Sequence, residues 1–178
     1  DKDGEARMLA EDARAGLEQR LAPYGPMSLE ARKVYDDRLE FEIDVINGMG
    51  FAVRHLAMNP DLQDQLRANP DQIVEASEEM LRRYSFTIPM RRVAKDTQLA
   101  GWTLKQDEWV VLYYPGADLD PREFAEPEKF DLNRENKVHL AFGAGVHRCL
   151  GAHLARVELQ VLYQQLLKRL PKFRLDPD

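Results

Sequence analysis

Along the first half of the chain, apolar residues return every third or fourth position, the spacing of one buried face on a helix. Leu9, Ala13, Leu17 and Leu21 share a face over 5–22, and Pro23-Tyr24-Gly25-Pro26 breaks the run. Ser28 is placed to cap a second helix that carries Val34, Leu39, Ile43 and Ile46. Asn47-Gly48-Met49-Gly50 is a weaker helical stretch leading into 51–58, and Asn59-Pro60-Asp61 ends that helix and starts a short one. Asn69-Pro70-Asp71 opens a further helix with Ile73, Val74, Ser77, Met80, Leu81 and Tyr84 on one side. After Pro89 the pattern shifts to β-branched and aromatic residues over 93–104 and 109–114, with turn chemistry at Ala100-Gly101 and Gln106-Asp107, which predicts short strands. Residues 115–140, rich in Pro, Asp and Glu, predict irregular chain with one turn of helix at Pro121. A glycine-punctuated loop over 142–151 then enters a long amphipathic helix carrying Leu150, Leu154, Val157, Val161, Leu162 and Leu166, which Pro171 ends. The expected class is mainly α with a small β region.

Composition narrows the function. A length of 178 residues, 44% hydrophobic and 31% charged, suits one globular domain with its own core. A net charge of −6 argues against a nucleic-acid partner or an anionic membrane surface. The acidity is concentrated before Phe51, a hint that two differently built segments meet there. One cysteine excludes an internal disulfide and any multi-cysteine zinc or iron–sulfur site. It leaves three readings for Cys149: buried filler, nucleophile or metal ligand. No apolar run approaches a membrane span and the first residues do not form a signal peptide, so a cytoplasmic protein is expected.

The densest chemistry lies in Phe142-Gly143-Ala144-Gly145-Val146-His147-Arg148-Cys149-Leu150-Gly151. Gly143 and Gly145 allow a tight fold and close approach to a flat ligand. Cys149 falls where a helix is expected to begin, and unpaired N–H groups there favour thiolate over thiol. Phe142, Gly143, Gly145, His147, Cys149 and Gly151 stand at the spacing of the haem-binding loop of the cytochrome P450 family, which this stretch resembles. Upstream, Glu79-Met80-Leu81-Arg82 resembles that family's Glu-x-x-Arg helix motif. The resemblance runs over about 45–178, is strongest toward soluble bacterial camphor- and terpene-hydroxylating members, and implies the C-terminal half of the P450 fold.

The resemblance carries specific expectations. Cys149 is the axial thiolate of haem b, donating electron density to iron. Glu79 and Arg82 form a buried ion network with Arg134, holding the cysteine loop. Arg91, with Arg92 as the register alternative, pairs with one haem propionate, and His147 with the other. The implied activity is insertion of one oxygen atom into a small apolar substrate, with electrons from a ferredoxin-type donor. Arg148 and Arg156 are candidate docking charges for that donor.

The chain also departs from the family, whose complete members are more than twice as long. Counting back from His55, the distal glycine and threonine that serve dioxygen should fall near Glu40-Phe41-Glu42-Ile43-Asp44, where neither occurs. Residues 35–51 resemble a segment of bacterial DNA polymerase III alpha subunit that precedes its palm, and Ala10 to Leu21 fits the same region, so 1–44 is a helical segment of uncertain origin. Two alternatives to a competent monooxygenase stand beside it. One is a catalytically incompetent P450 fragment that only binds haem or keeps the partial fold. The other is a small metal-binding module built on His147, Cys149 and His153.

Overall fold

The computed structural model of the chain describes residues 2–175. It divides into two compact units, 1–55 and 56–178. The helices are α1 (Lys2–Leu21), α2 (Leu29–Met58), α3 (Pro60–Ala68), α4 (Ile73–Arg83), the short α5 (Tyr114–Asp118) and α6 (Ala152–Arg169). Four three-residue strands lie between α4 and α5: β1 (Met90–Arg92), β2 (Thr97–Leu99), β3 (Trp102–Leu104) and β4 (Trp109–Val111).

In the first unit α1 ends in a 3-10 turn over Ala22–Tyr24, and Gly25 turns the chain with φ +74°. Ser28 caps α2 as its chemistry predicts, its Oγ accepting the Ala31 N–H at 3.2 Å. Arg32 then reaches back to Glu18 of α1, with its Nη1 3.1 Å from Oε2, and along its own helix to Asp36 at 2.9 Å. The α2 backbone stays helical through Asn47-Gly48-Met49-Gly50, so the weak propensity of that stretch does not break it. Glycine in a helix costs only about 1 kcal/mol each, which neighbouring helical residues can outweigh. Of the segment expected at the distal face, the side chains of Glu40, Phe41 and Asp44 lie outside the described residues, and Ile43 is buried.

The second unit is organised around α4 and α6. Ile73, Ala76, Ser77 and Met80 of α4 are buried, as are Ala152, Leu159, Tyr163 and Leu167 of α6. The predicted face is thus only partly buried: Leu162 and Leu166 are half-buried, but Leu154 is 62% exposed, Val157 54% and Val161 47%. The sequence carries two apolar stripes on this helix. The one that faces α4 includes the small Ala152, which permits close approach, and the polar-edged Tyr163. Gln63 of α3, wholly buried, gives both amide hydrogens to the Leu56 and Phe173 carbonyls at 2.7 Å, pinning the chain after α6 to α3. Arg67 caps the free carbonyls of Leu167 and Leu170 at 3.1 Å each.

The β region forms two antiparallel pairs. In one, Arg91 stands opposite Val110, and in the other, Gln98 opposite Thr103. The β2–β3 hairpin turns on Ala100 (φ 49°) and Gly101 (φ 85°), two successive positive φ values that a type I′ turn requires. Tyr114, expected at the end of a strand, instead starts α5, because Pro115 fits the first turn of a helix and cannot donate to a ladder. The helical turn expected at Pro121 is a run of hydrogen-bonded turns, with Glu123 and Phe124 N–H both bonded to the Asp120 carbonyl.

Candidate functional site

Cys149 is exposed and sits in a loop held by its own backbone. The Gly143 N–H bonds the Leu140 carbonyl at 2.7 Å, Arg148 N–H bonds Gly145 at 3.1 Å, and Cys149 N–H bonds Phe142 at 2.9 Å. A 3-10 turn over Gly145–His147 rounds the tip, and residues 144–150 are all exposed. The helix begins later than expected. Ala152 is its first residue, and the Cys149 carbonyl accepts the Ala152 N–H at 3.3 Å. The thiol therefore lies just outside the first turn, close to the positive end of α6 rather than within it.

Two glycines make this geometry possible. Gly143 (φ +68°) and Gly145 (φ +65°) occupy the left-handed region. A Cβ on Gly143 would also lie 3.2 Å from the Tyr114 hydroxyl oxygen, whereas one on Gly145 would meet open space. Gly143→Ala and Gly145→Ala should each cost about 1–2 kcal/mol in backbone strain, with Gly143→Ala costing more because Tyr114 must also move. Urea unfolding of the two variants measures the difference; equal losses would remove Tyr114 from the account.

Glu79, Arg82 and Arg134 meet in one buried cluster. Glu79 is 4% exposed, Arg82 1% and Arg134 8%. Arg82 grips Glu79 with two parallel bonds of 2.9 Å, and Arg134 Nε lies 2.9 and 3.1 Å from the two oxygens of the same carboxylate. The Asp131 N–H adds a fourth donor at 3.0 Å. The remaining guanidinium hydrogens go to main-chain carbonyls: Asp118 at 2.7 Å and Pro127 at 2.9 Å for Arg82, Ala125 at 2.7 Å and Lys129 at 2.8 Å for Arg134. Burial by itself would raise the Glu79 carboxyl, but the bonds from Arg82, Asp131 and Arg134 outweigh it and hold it below its usual range. This network spans α4, the irregular chain before the cysteine loop and the end of α5. Asp118, itself buried, accepts the Leu140 N–H at 2.6 Å and so carries the anchorage to the loop's first residues.

A second network was not legible in the sequence. Glu78, the neighbour of Glu79, points about 100° around α4. It accepts Arg156 Nε at 2.6 Å and Nη2 at 3.0 Å, and His139 Nε2 lies 3.3 Å away. Arg156 was expected to be a docking charge; instead its fork is paired and its guanidinium lies 4.8 Å over the Phe142 ring. The doublet Glu78-Glu79 was the available signal, together with a histidine three residues before Phe142, but neither names its partner. Burial pushes the Glu78 carboxyl up, yet hydrogen bonds from His139 and Arg156 and their charge overturn this and leave it at about 2. Its folded-state pKa is thus below the ordinary 4.5, so its contribution to stability is complete above that value and lost as pH falls toward 2. Thermal melts of the wild type and Glu78→Gln should differ most at neutral pH and converge only as pH approaches 2.

The other expected residues fall apart from these networks. Arg91 lies on β1 and its Nη1 donates to the Met90 carbonyl at 2.8 Å, whereas Arg92 is paired with Asp107 at 2.8 Å. His147 ends the exposed 3-10 turn. No three His, Cys, Asp or Glu side chains converge as a metal site among the described residues.

The second unit therefore presents one exposed thiol from a glycine-bent loop clamped to a helical scaffold. The family model for cytochrome P450 matches residues 45–178, and the chain belongs to that family. It is 36% identical over 163 residues to the steroid C26-monooxygenase of Mycobacterium tuberculosis, covering 84% of this chain and 43% of the relative. It is 41% identical over 131 residues to the biotin biosynthesis cytochrome P450 of Bacillus subtilis, covering 73% and 33%. Among solved structures, cytochrome P450 CYP101C1 superposes with a TM-score of 0.76 at 34% identity, over 86% of this chain and 40% of that one. P450BioI in complex with an acyl carrier protein carrying hexadec-9Z-enoic acid gives 0.71 at 38%, over 75% and 35%. The chain thus spans well under half the length of these relatives. The match to the steroid C26-monooxygenase covers more of the chain than 45–178 can supply, so it runs upstream of Val45. None of these matches supports the likeness of 1–51 to a DNA polymerase III alpha segment.

Members of this family bind haem, and bacterial members use haem b. The donor set fits that group. An exposed soft thiol is flanked by Val146 at 98% and Leu150 at 100% exposure, apolar side chains that a flat macrocycle would cover. A Cβ on Gly151 would stand 3.8 Å from the Cys149 sulfur, so the glycine keeps that side of the sulfur open. No described helix is long and apolar enough to cross a membrane.

Proposed function

We propose that residues 45–178 carry the proximal half of a haem-thiolate monooxygenase site, in which the Cys149 thiolate would hold the iron of haem b. The observation that carries this reading is the exposed Cys149 thiol, held in place by the 2.9 Å bond from its N–H to the Phe142 carbonyl. When bound, the haem supplies dioxygen activation and insertion of one oxygen atom into a small apolar substrate, using electrons from a ferredoxin-type donor. The chain's own residues do the rest. Phe142, Gly143, Gly145 and Gly151 shape the loop that presents the sulfur. Glu79, Arg82 and Arg134 hold the loop's approach segment fixed. Arg91 supplies one propionate contact, favoured over Arg92 because Asp107 already neutralises the latter, and His147 supplies the other. A carbon monoxide spectrum of the reduced, haem-loaded chain tests the ligand: a strongly red-shifted Soret band is expected, and an ordinary histidine-type band would sink the assignment.

A second reading, a catalytically incompetent remnant, is favoured by the Glu-Phe-Glu-Ile-Asp segment over 40–44, which offers neither the distal glycine nor the threonine. Peroxide-driven turnover separates the two. Oxygenated product from any apolar substrate counts against the remnant, and none from a chain that shows the thiolate band counts for it.

A further inference from the structure

The Glu78 network lies outside everything the Glu-x-x-Arg motif covers, yet it touches the cysteine loop directly. Three separate stretches meet on one carboxylate: Glu78 from α4, Arg156 from α6 and His139 from the chain that enters the loop. The His139 ring is itself oriented, since its Nδ1 accepts the Ala141 N–H at 3.2 Å and leaves Nε2 to donate toward Glu78. Phe142 sits inside this arrangement. The Arg156 guanidinium covers its ring at 4.8 Å and the His139 ring stands 6.1 Å from it, tilted by 48°. The Phe142 carbonyl, in turn, accepts the Cys149 N–H. A continuous path therefore runs from the α4 carboxylate, through one guanidinium and one aromatic ring, to the main chain of the thiol.

We propose that Glu78, Arg156 and His139 are positioning residues that clamp Phe142 and thereby fix the orientation of Cys149. The proposal rests on the reading of Cys149 as the iron ligand for its purpose, though not for its geometry. Arginine suits the role because one planar group can fork onto a carboxylate and stack on a ring at once; lysine offers the charge without either. A simple tie between α4 and α6 would need only the ion pair and would be indifferent to Phe142. The neighbouring Glu79 network holds the chain up to Arg134, and Asp118 holds Leu140. The Glu78 network takes over at the next residues, 139–142. The two adjacent carboxylates of α4 thus divide the work along consecutive segments of the approach to the thiol.

The test separates positioning from bulk stability. Hydrogen exchange of the full haem-free chain reads the Cys149 amide directly, because its N–H is the one bonded to Phe142. Arg156→Lys and Glu78→Gln should each speed Cys149 exchange about tenfold beyond whatever change in overall stability does to the β1–β4 ladder. Phe142→Leu, which keeps an apolar side chain without the ring, should give a similar rise. Arg156→Lys added to Phe142→Leu should add nothing further, because both act through the same contact. On the haem-loaded chain the single variants should convert part of the reduced carbon monoxide complex to a form without the red-shifted band. Unchanged Cys149 exchange in Arg156→Lys overturns the proposal, as does a rise shared equally by the β1–β4 ladder, which would mean a purely structural tie. If the wild type itself shows no thiolate band while the exchange pattern holds, the ligand reading falls and the clamp stands.

Discussion

Cys149→Ser is expected to abolish the red-shifted Soret band of the reduced carbon monoxide complex while leaving the haem-free chain as stable as the wild type. The two halves of that result come from one observation. The thiol is exposed, so replacing sulfur by oxygen removes no packed contact, and surface changes of this kind stay within about 0.5 kcal/mol. The Cys149 N–H and carbonyl bonds to Phe142 and Ala152 are main-chain and survive the change. Only the soft donor is lost, and a serine hydroxyl is a poor ligand for haem iron at neutral pH. His147→Ala should behave differently: it should weaken haem retention without removing the band, because the role proposed for it is a propionate contact and not iron ligation. Soret titrations of the three proteins against free haem, with urea unfolding of the haem-free forms, give both readouts. A Cys149→Ser chain that keeps the shifted band would end the assignment. One that loses the band only because it unfolds would show the cysteine to be structural.

How much of this was readable before the structure depended on the kind of constraint involved. The cysteine loop could be read because its residue types are dictated by backbone geometry. Positive φ at 143 and 145 demands glycine, and glycine at fixed distances from a cysteine is visible in one dimension. The Glu79–Arg82 pair could be read because both lie on one helix three residues apart, whereas Arg134 needed the resemblance to place it. The α6 face was misread for a physical reason. Two apolar stripes share that helix, and only the partner helix α4 decides that Leu159 and Tyr163 are buried while Leu154 and Val157 are not. Arg156 was misread for the same reason. An arginine beside a functional loop looks like a docking charge until the carboxylate that neutralises it, 78 residues away, is seen beside it. Pairings across that separation leave no periodic trace.

The largest stability effect is expected at Glu79, and it follows from counting what its removal leaves behind. Glu79→Ala strands two guanidinium groups, Arg82 at 1% and Arg134 at 8% exposure, with no carboxylate to share. Breaking a buried pair by removing one partner costs about 3–5 kcal/mol, against a total of about 5–15 kcal/mol for a typical domain. The variant should therefore be largely or wholly unfolded at moderate temperature. Glu79→Gln keeps one acceptor and two donors, but the donors face the Asp131 N–H and the guanidinium forks, so it should rescue little. Arg82→Lys tests the other side of the contact. Lysine keeps the charge yet cannot reach the Glu79 oxygens and the Asp118 and Pro127 carbonyls together, so several buried acceptors go unpaired. The double variant Glu79→Ala with Arg82→Ala should lose less than the sum of the single losses, since each removes the partner the other leaves behind. Because the carboxyl is held below its ordinary range, the network's contribution is complete above about pH 4.5 and fades on acidification. Urea unfolding at pH 7 and pH 4 measures all of this. A loss below about 1 kcal/mol for Glu79→Ala at pH 7 would place the pair in the class of solvated surface bridges, and the loop's anchorage would then have to come from Asp118 and the Glu78 clamp alone.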